Sequence, residues 1–486
     1  MGKKLKIIII TIILVFSFSC NLFTQPEAPA AESTATATAV SQVPETEGPA
    51  EERTATPMVI PPATSLNPDG PYLVFEGSSG VWIANPDGGF LTKITPIELR
   101  GDLRGAISPT GERIAIVMRN EQGLDLVMVS IPGGETETIT NLISFTPAEE
   151  ANNQLSQKAF STYAIRDYES TAWQPGNGRL LAFMGAIPGP TADLFIYDTQ
   201  TGEIRQLTDG PAQAINPIWS PDGEYILHYG VKWEPPFGGA IGGANTMIGV
   251  WAARASDGEV ITLPKPEVSF PHFISWQDGR RYLSSESNPD CDSNRLYSIN
   301  LVDGEKKLFM NFGFSSKIVQ SPKNGALMFS ALTECSDSPG EGLFIYTPGQ
   351  EAPRKLLVGR VWEIHWMPES EVFWAYPEAL ISADGDTRYD PPVYEASFHP
   401  AVSKQGYQAW EVIENRQGRV MVKVPGHDWQ KVMEGSVRTL LWDALDGKTL
   451  LITLKDGSLY AATYPDFEAR LMGTMGGRVD QAIWLP

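Results

Sequence analysis

Pro217-Ile218-Trp219-Ser220-Pro221-Asp222-Gly223-Glu224-Tyr225-Ile226 contains the organising unit of this chain: an apolar stretch ending in an aromatic residue, a Ser-Pro-Asp-Gly turn and a second apolar stretch. Pro pre-sets φ for the turn and Gly takes positive φ, so the segment reverses the chain between two strands. Degenerate copies in the same order stand at Ser108-Pro109-Thr110-Gly111, Trp173-Gln174-Pro175, Trp276-Gln277-Asp278-Gly279, Ser321 to Gly325, Trp366-Met367-Pro368, Phe398-His399-Pro400 and Trp442 to Gly447. Their spacing is mostly in the forties. A loop, a third strand, a Gly turn and a fourth strand follow, as in Asp193 to Tyr197, Thr201-Gly202-Glu203 and Ile204 to Leu207. Four short strands recurring at roughly 40–50 residues are the mark of propeller blades, with the aromatic residue packing between neighbours.

These copies resemble the TolB-type propeller repeat, matched best from Trp219 to Gly223. The resemblance implies an all-β propeller over residues 67–486, with structural roles for Trp173, Trp219, Asp222, Gly223, Trp276, Trp366, Trp442 and Trp484. The chain stops at Ala482-Ile483-Trp484-Leu485-Pro486, the first half of a repeat, and the body begins at Asn67 to Phe75, the second half. Joined, they make one blade whose inner strand comes from the C-terminus, which removes exposed sheet edges. Nine inner-strand candidates can be counted, but residues 363–392 look too short for a separate blade. Eight blades are therefore expected, with seven and nine left open.

Composition agrees with a turn-rich globular body: 45 glycines and 38 prolines in 486 residues. The formal charge of −21 repels phosphate backbones and anionic headgroups, so nucleic-acid binding is excluded as an expectation.

The chain opens with Lys3, Lys4 and Lys6, an apolar run from Ile7 to Phe16, then Ser17, Phe18, Ser19 and Cys20. A basic start, a short greasy core and small residues are the parts of a secretory signal. The segment resembles a bacterial lipoprotein signal over residues 1–20, which implies that Cys20 becomes the lipidated first residue of the mature chain. An uncleaved anchor helix from Leu5 to Phe23 is the alternative, being close to the ~20 residues that span a bilayer. Either way the body lies outside the cytoplasm, tethered in the cell envelope. Residues 21–66 are rich in Pro, Ala, Thr and Glu and cannot bury enough apolar surface to offset chain entropy, so a disordered tether is expected.

Two segments depart from the period. Residues 142–170 read as a partly helical insertion after the second blade, and residues 231–246 as a flexible loop in the fourth. Aligning Leu296-Tyr297 with Leu343-Phe344 puts Cys291 and Cys335 in corresponding loops of adjacent blades, where a disulfide is geometrically reasonable and an exported location permits it; two free thiols are the alternative.

Catalytic signals are sparse. The five histidines, His228, His272, His365, His399 and His427, form no H-E-x-x-H pair, and no metal site or cofactor is expected. His365 and His399 fall within inner-strand motifs and could face the central channel, although hydrogen-bonded structural histidines are the commoner outcome. Gly77-Ser78-Ser79-Gly80 reads as a hairpin turn, and Gly238 to Gly243 lacks the lysine of a phosphate loop. Asp290, Asp292 and Asn294 imitate a calcium loop, but Arg295 stands where Gly is needed and Leu301 where Glu is. The expected function is a monomeric, membrane-tethered binding or scaffold module for a protein or glycan partner. The alternative is a propeller enzyme acting on glycans through channel-lining carboxylates. A third reading, the propeller half of a serine peptidase, would need a hydrolase domain beyond Pro486.

Overall fold

The computed structural model describes residues 65–485 apart from 68–69, 98, 100–101, 146–156, 168, 188, 235–243, 264–270, 289–292, 315–317, 332–340, 360 and 377–378. Cys20, Cys291 and Cys335, with the lipidation and disulfide expected of them, lie outside the described residues, as does the 21–66 segment apart from Ser65 and Leu66. The described chain builds nine antiparallel sheets, eight of four strands and one of three.

The ring has nine blades, not eight. The segment discounted as too short, from Glu363 to Tyr389, is the seventh blade, with strands of five, five, four and two residues. It fits because the second and third strands pair from Val372↔Ser382 to Ala375↔Ala379 with only two residues, 377–378, between their ends. Blade 1 combines Tyr72–Gly77, Gly80–Ala84 and Thr92–Thr95 with the C-terminal strand Val479–Leu485. Blade 2 spans 113–144, blade 3 171–206, blade 4 213–262, blade 5 272–314, blade 6 319–357, blade 7 363–389, blade 8 396–434 and blade 9 437–474.

Closure follows the pattern read from the two chain ends: Tyr72 pairs with Leu485, Leu73 with Trp484 and Phe75 with Ala482. Eight apolar clusters join every blade to the next around the ring. Leu73 and Phe75 of blade 1 meet Leu441 and Leu451 of blade 9, so the last blade packs on the first. Middle strands are covered on both faces and are buried nearly continuously, as in Leu327–Ala331, whereas outer strands such as Val260–Thr262 are partly exposed. Sandwiching on both faces removes the polar–apolar alternation of a half-buried strand.

The turn motif works as its residues imply. Gly223 has φ +70°, Ser220 Oγ donates to Asp222 Oδ1 at 2.6 Å, and Glu224 N–H donates to that same oxygen at 3.0 Å. In three blades the aromatic residue adds a bond across blades, whereas the Trp276, Trp366 and Trp442 indole nitrogens are buried without one. Trp219 Nε1–H donates to the Ala172 carbonyl at 2.8 Å, Trp173 Nε1–H to Ala106 at 2.8 Å, and Trp484 Nε1–H to Trp442 at 3.0 Å. Each of these three bonded indoles therefore ties its strand to the inner segment of the preceding blade.

Blade 2 and the 231–246 loop depart from the sequence expectations, whereas the partly helical insertion after blade 2 is found as expected. Blade 2 keeps its Ser108–Gly111 turn but lacks an inner strand: Leu103–Ala106 forms a one-turn helix, α1, capped by Asp102, and only Ile107 bridges to Ile114. The insertion after blade 2 contributes a docked helix, α2, Gln157–Asp167, whose Phe160, Ala164 and Ile165 enter the core. The expected loop at 231–246 is shorter, because Val231 to Glu234 pairs with Ala244 to Met247 as an extended hairpin.

Candidate functional site

Inner strands of blades 1, 7, 8 and 9, with α1 of blade 2, enclose a channel cavity of about 500 Å³. Its lining includes His365, Trp366, Trp374, Glu369, His399, Arg438, Asp480 and Arg104. Both histidines singled out in inner-strand motifs thus share one cavity. Of the structural tryptophans, Trp366 also lines it; Trp173, Trp219 and Trp484 line a second channel cavity of about 550 Å³, and Trp442 a third. Trp276 packs instead against Phe273 and Tyr282 within blade 5.

Five rings run as a row along blades 7 and 8. His365 pairs across strands with Trp374, the ring centroids 5.7 Å apart. Trp374 meets Tyr376 edge-on at 5.4 Å, Tyr376 stacks on Phe398 at 6.3 Å, and Phe398 lies 6.4 Å from His399. His365, Trp374 and Tyr376 share one face because residues two apart on a strand, and their cross-strand partners, point the same way.

His399 reaches the cavity from a bulge. Pairing of its strand shifts between Phe398 and Ala401, and His399 has φ +44°. The same bulge occurs in blade 4, where Asn216 has φ +51° before Pro217, so the device belongs to the repeat and the side chain on it is what differs. Bulges re-aim side chains. His399 Nδ1 lies 2.8 Å from Oε2 of Glu411, which is 2% exposed and accepts the Val437 N–H at 2.9 Å on its other oxygen. An ionised carboxylate only accepts, so Nδ1 carries the proton and Nε2 remains for a ligand. Next along the chain, Arg438 donates to the Val479 carbonyl at 2.8 Å and to Asp480 at 2.9 Å; Arg478 also pairs with Asp480, at 2.8 Å.

The channel is crossed by an ion pair. Arg104 on α1 of blade 2 pairs with Glu369 in the first turn of blade 7, and blades 2 and 7 stand on opposite sides of a nine-membered ring. Burial raises the Glu369 carboxyl above the usual range, while Arg104 and the Trp484 N–H hold it down. Leu103 N–H donates to Gln481 Oε1 at 2.8 Å, fixing α1 against the closing strand.

Sequence reasoning missed Trp374, Tyr376, Glu411, Arg438, Asp480 and the Arg104–Glu369 pair. Only His365 and His399 had a signal, their place within inner-strand motifs. Among the described residues no group of three or more His, Cys, Asp or Glu is placed to hold a metal ion.

No family model matches the chain. An uncharacterized peptidase, YuxL, of Bacillus subtilis is 51% identical over 55 residues, which make up 11% of this chain and 8% of that protein. Such a match is little longer than one repeat. Among solved structures, a eukaryotic initiation factor is similar with a TM-score of 0.50 at 14% identity, covering 86% of this chain and 98% of that one. Dipeptidyl peptidase 4 of Porphyromonas gingivalis gives a TM-score of 0.45 at 9% identity, covering 84% of this chain and 58% of that one. TolB of Acinetobacter baumannii gives 0.25 at 12%, covering 76% and 82%. The likeness to the initiation factor bears on the fold alone, and folds of this kind host many functions.

Proposed function

We propose that the chain is a membrane-tethered, extracytoplasmic β-propeller that recognises a protein or glycan partner in the channel cavity between blades 7 and 1. The observation that carries this reading is the convergence of His365 and Trp374, from the ring row, with His399, Arg438 and Asp480 in one cavity. Concave sites lined by aromatic surface with a few placed polar groups are where ligands bind. Lipidation of Cys20 supplies the tether in this reading. The test is photo-cross-linking of the full chain in intact envelopes, with the cross-linker at position 365 or, as a control, at Lys307 on the exposed outermost strand of blade 5. An adduct from position 365 alone is expected; its absence, or equal adducts from both positions, defeats the proposal.

A second reading, an enzyme acting on glycans, is favoured by the placement of Glu369, a carboxylate that lines the cavity beside Arg104. Glycan turnover by the full chain that is lost in Glu369→Gln would establish it.

A further inference from the structure

We infer that the cavity takes an uncharged oligosaccharide, entering end-on; the inference rests on the binding role proposed above and names its ligand class. Three observations converge. The first is stacking surface: Trp374 and His365 both line the cavity and stand side by side on one face of blade 7. The apolar faces of sugar rings pack on such surfaces, and the cavity's volume of about 500 Å³ lies within the range of small-molecule sites.

The second is the set of polar groups. His399 Nε2 accepts, the Arg438 guanidinium donates, and Asp480 accepts, which together suit hydroxyl groups that do both. All three are held in place by their own neighbours: Glu411 fixes the His399 ring, the Val479 carbonyl holds Arg438, and Arg478 braces Asp480. Preorganised groups lose less freedom on binding.

The third is charge. Arg104 is matched by Glu369, Asp480 is shared by Arg438 and Arg478, and Asp102 adds a further carboxylate at the rim. With Glu411 beside His399 counted, four carboxylates stand against three guanidiniums, on a chain whose formal charge is −21. An anionic glycan therefore meets no excess of positive charge and a repelling field, whereas an uncharged one meets neither. The Arg104–Glu369 pair limits depth, because a ligand entering past Arg438 and Asp480, where the inner strands begin, meets that bar where they end.

The experiment is isothermal titration of the full chain, in a detergent without a sugar headgroup, with gluco-, manno- and xylo-hexaoses and with a uronic-acid hexaose. At least one neutral hexaose is expected to bind and to change tryptophan fluorescence, with affinity falling tenfold or more in Trp374→Ala, partly restored in Trp374→Phe, and falling in Arg438→Gln. Unchanged circular dichroism and Tm qualify each variant as folded. Preference for the uronic-acid chain, or neutral binding indifferent to all three variants, overturns the inference. If no sugar binds but a protein adduct forms from position 365, the ligand class is wrong and the binding role stands; if neither occurs, both fall.

Discussion

Trp219 shows what one residue of the repeat does. It is 5% exposed, fills the space between blades 3 and 4, and satisfies the Ala172 carbonyl. Trp219→Ala removes that packing and leaves the carbonyl without its donor, so a loss of about 3–5 kcal/mol is expected, read as a shift in the denaturant midpoint. His228 presents the opposite case, a polar side chain in the core without partners on either ring nitrogen. It packs across from Trp251, with centroids 5.8 Å apart, and Gly230 makes room for that indole, since a Cβ there would sit 1.6 Å from the ring. Burial lowers its pKa from 6.5 to about 4. Because the folded value is depressed for a base, the unfolded chain binds the proton first, and stability falls as pH drops from 6.5 towards 4. On the order of 3 kcal/mol is at stake across that window. Urea titrations at pH 7 and pH 4.5 should show a smaller pH loss in His228→Leu than in the parent; equal losses would remove His228 from the account.

Among elements, the closing strand and α1 matter most, because both stand where the ring departs from nine identical blades. Val479–Leu485 supplies the inner edge of blade 1, carries the Trp484 bond to blade 9 and holds Arg438 through the Val479 carbonyl. Deleting residues 477–486 exposes the donors and acceptors of Tyr72–Gly77 and opens the ring. Lower Tm and concentration-dependent association are expected by calorimetry and sedimentation. A tail that merely frays would leave both unchanged. The helix α1 occupies the place of a missing strand and carries Arg104 into the channel, so one irregular blade sets how deep the cavity is.

For the whole molecule, nine blades held by apolar clusters at every junction make a continuous ring, and the tether proposed at Cys20 would set where that ring works. Cys20→Ala should release the protein from the membrane fraction or leave an unprocessed precursor. Unchanged processing and membrane retention in fractionated cells would instead favour an anchoring helix.

The repeat, most of its turn chemistry and its closure were legible in the chain because they rest on local rules: Pro and Gly in the turns, apolar runs of strand length, an aromatic residue before several of the turns. Phe398-His399-Pro400, read as a turn copy, lies instead within the strand Ala396–Val402, and its blade turns at Ser403–Gly406. All nine inner positions could be counted from Trp and Pro alone. The blade total was not, because whether Glu363 to Tyr389 pairs with itself or joins a neighbour depends on hairpin pairing and packing against blades 6 and 8. The same is true of α1, whose helical turn is settled by the space between blades 1 and 3 more than by Leu-Arg-Gly-Ala. For the cavity, His365 and His399 could be suspected from their motifs. Glu411 on a second strand, Arg438 a blade away and Glu369 across the channel could not, since only ring closure brings residues so distant in sequence within reach of one another.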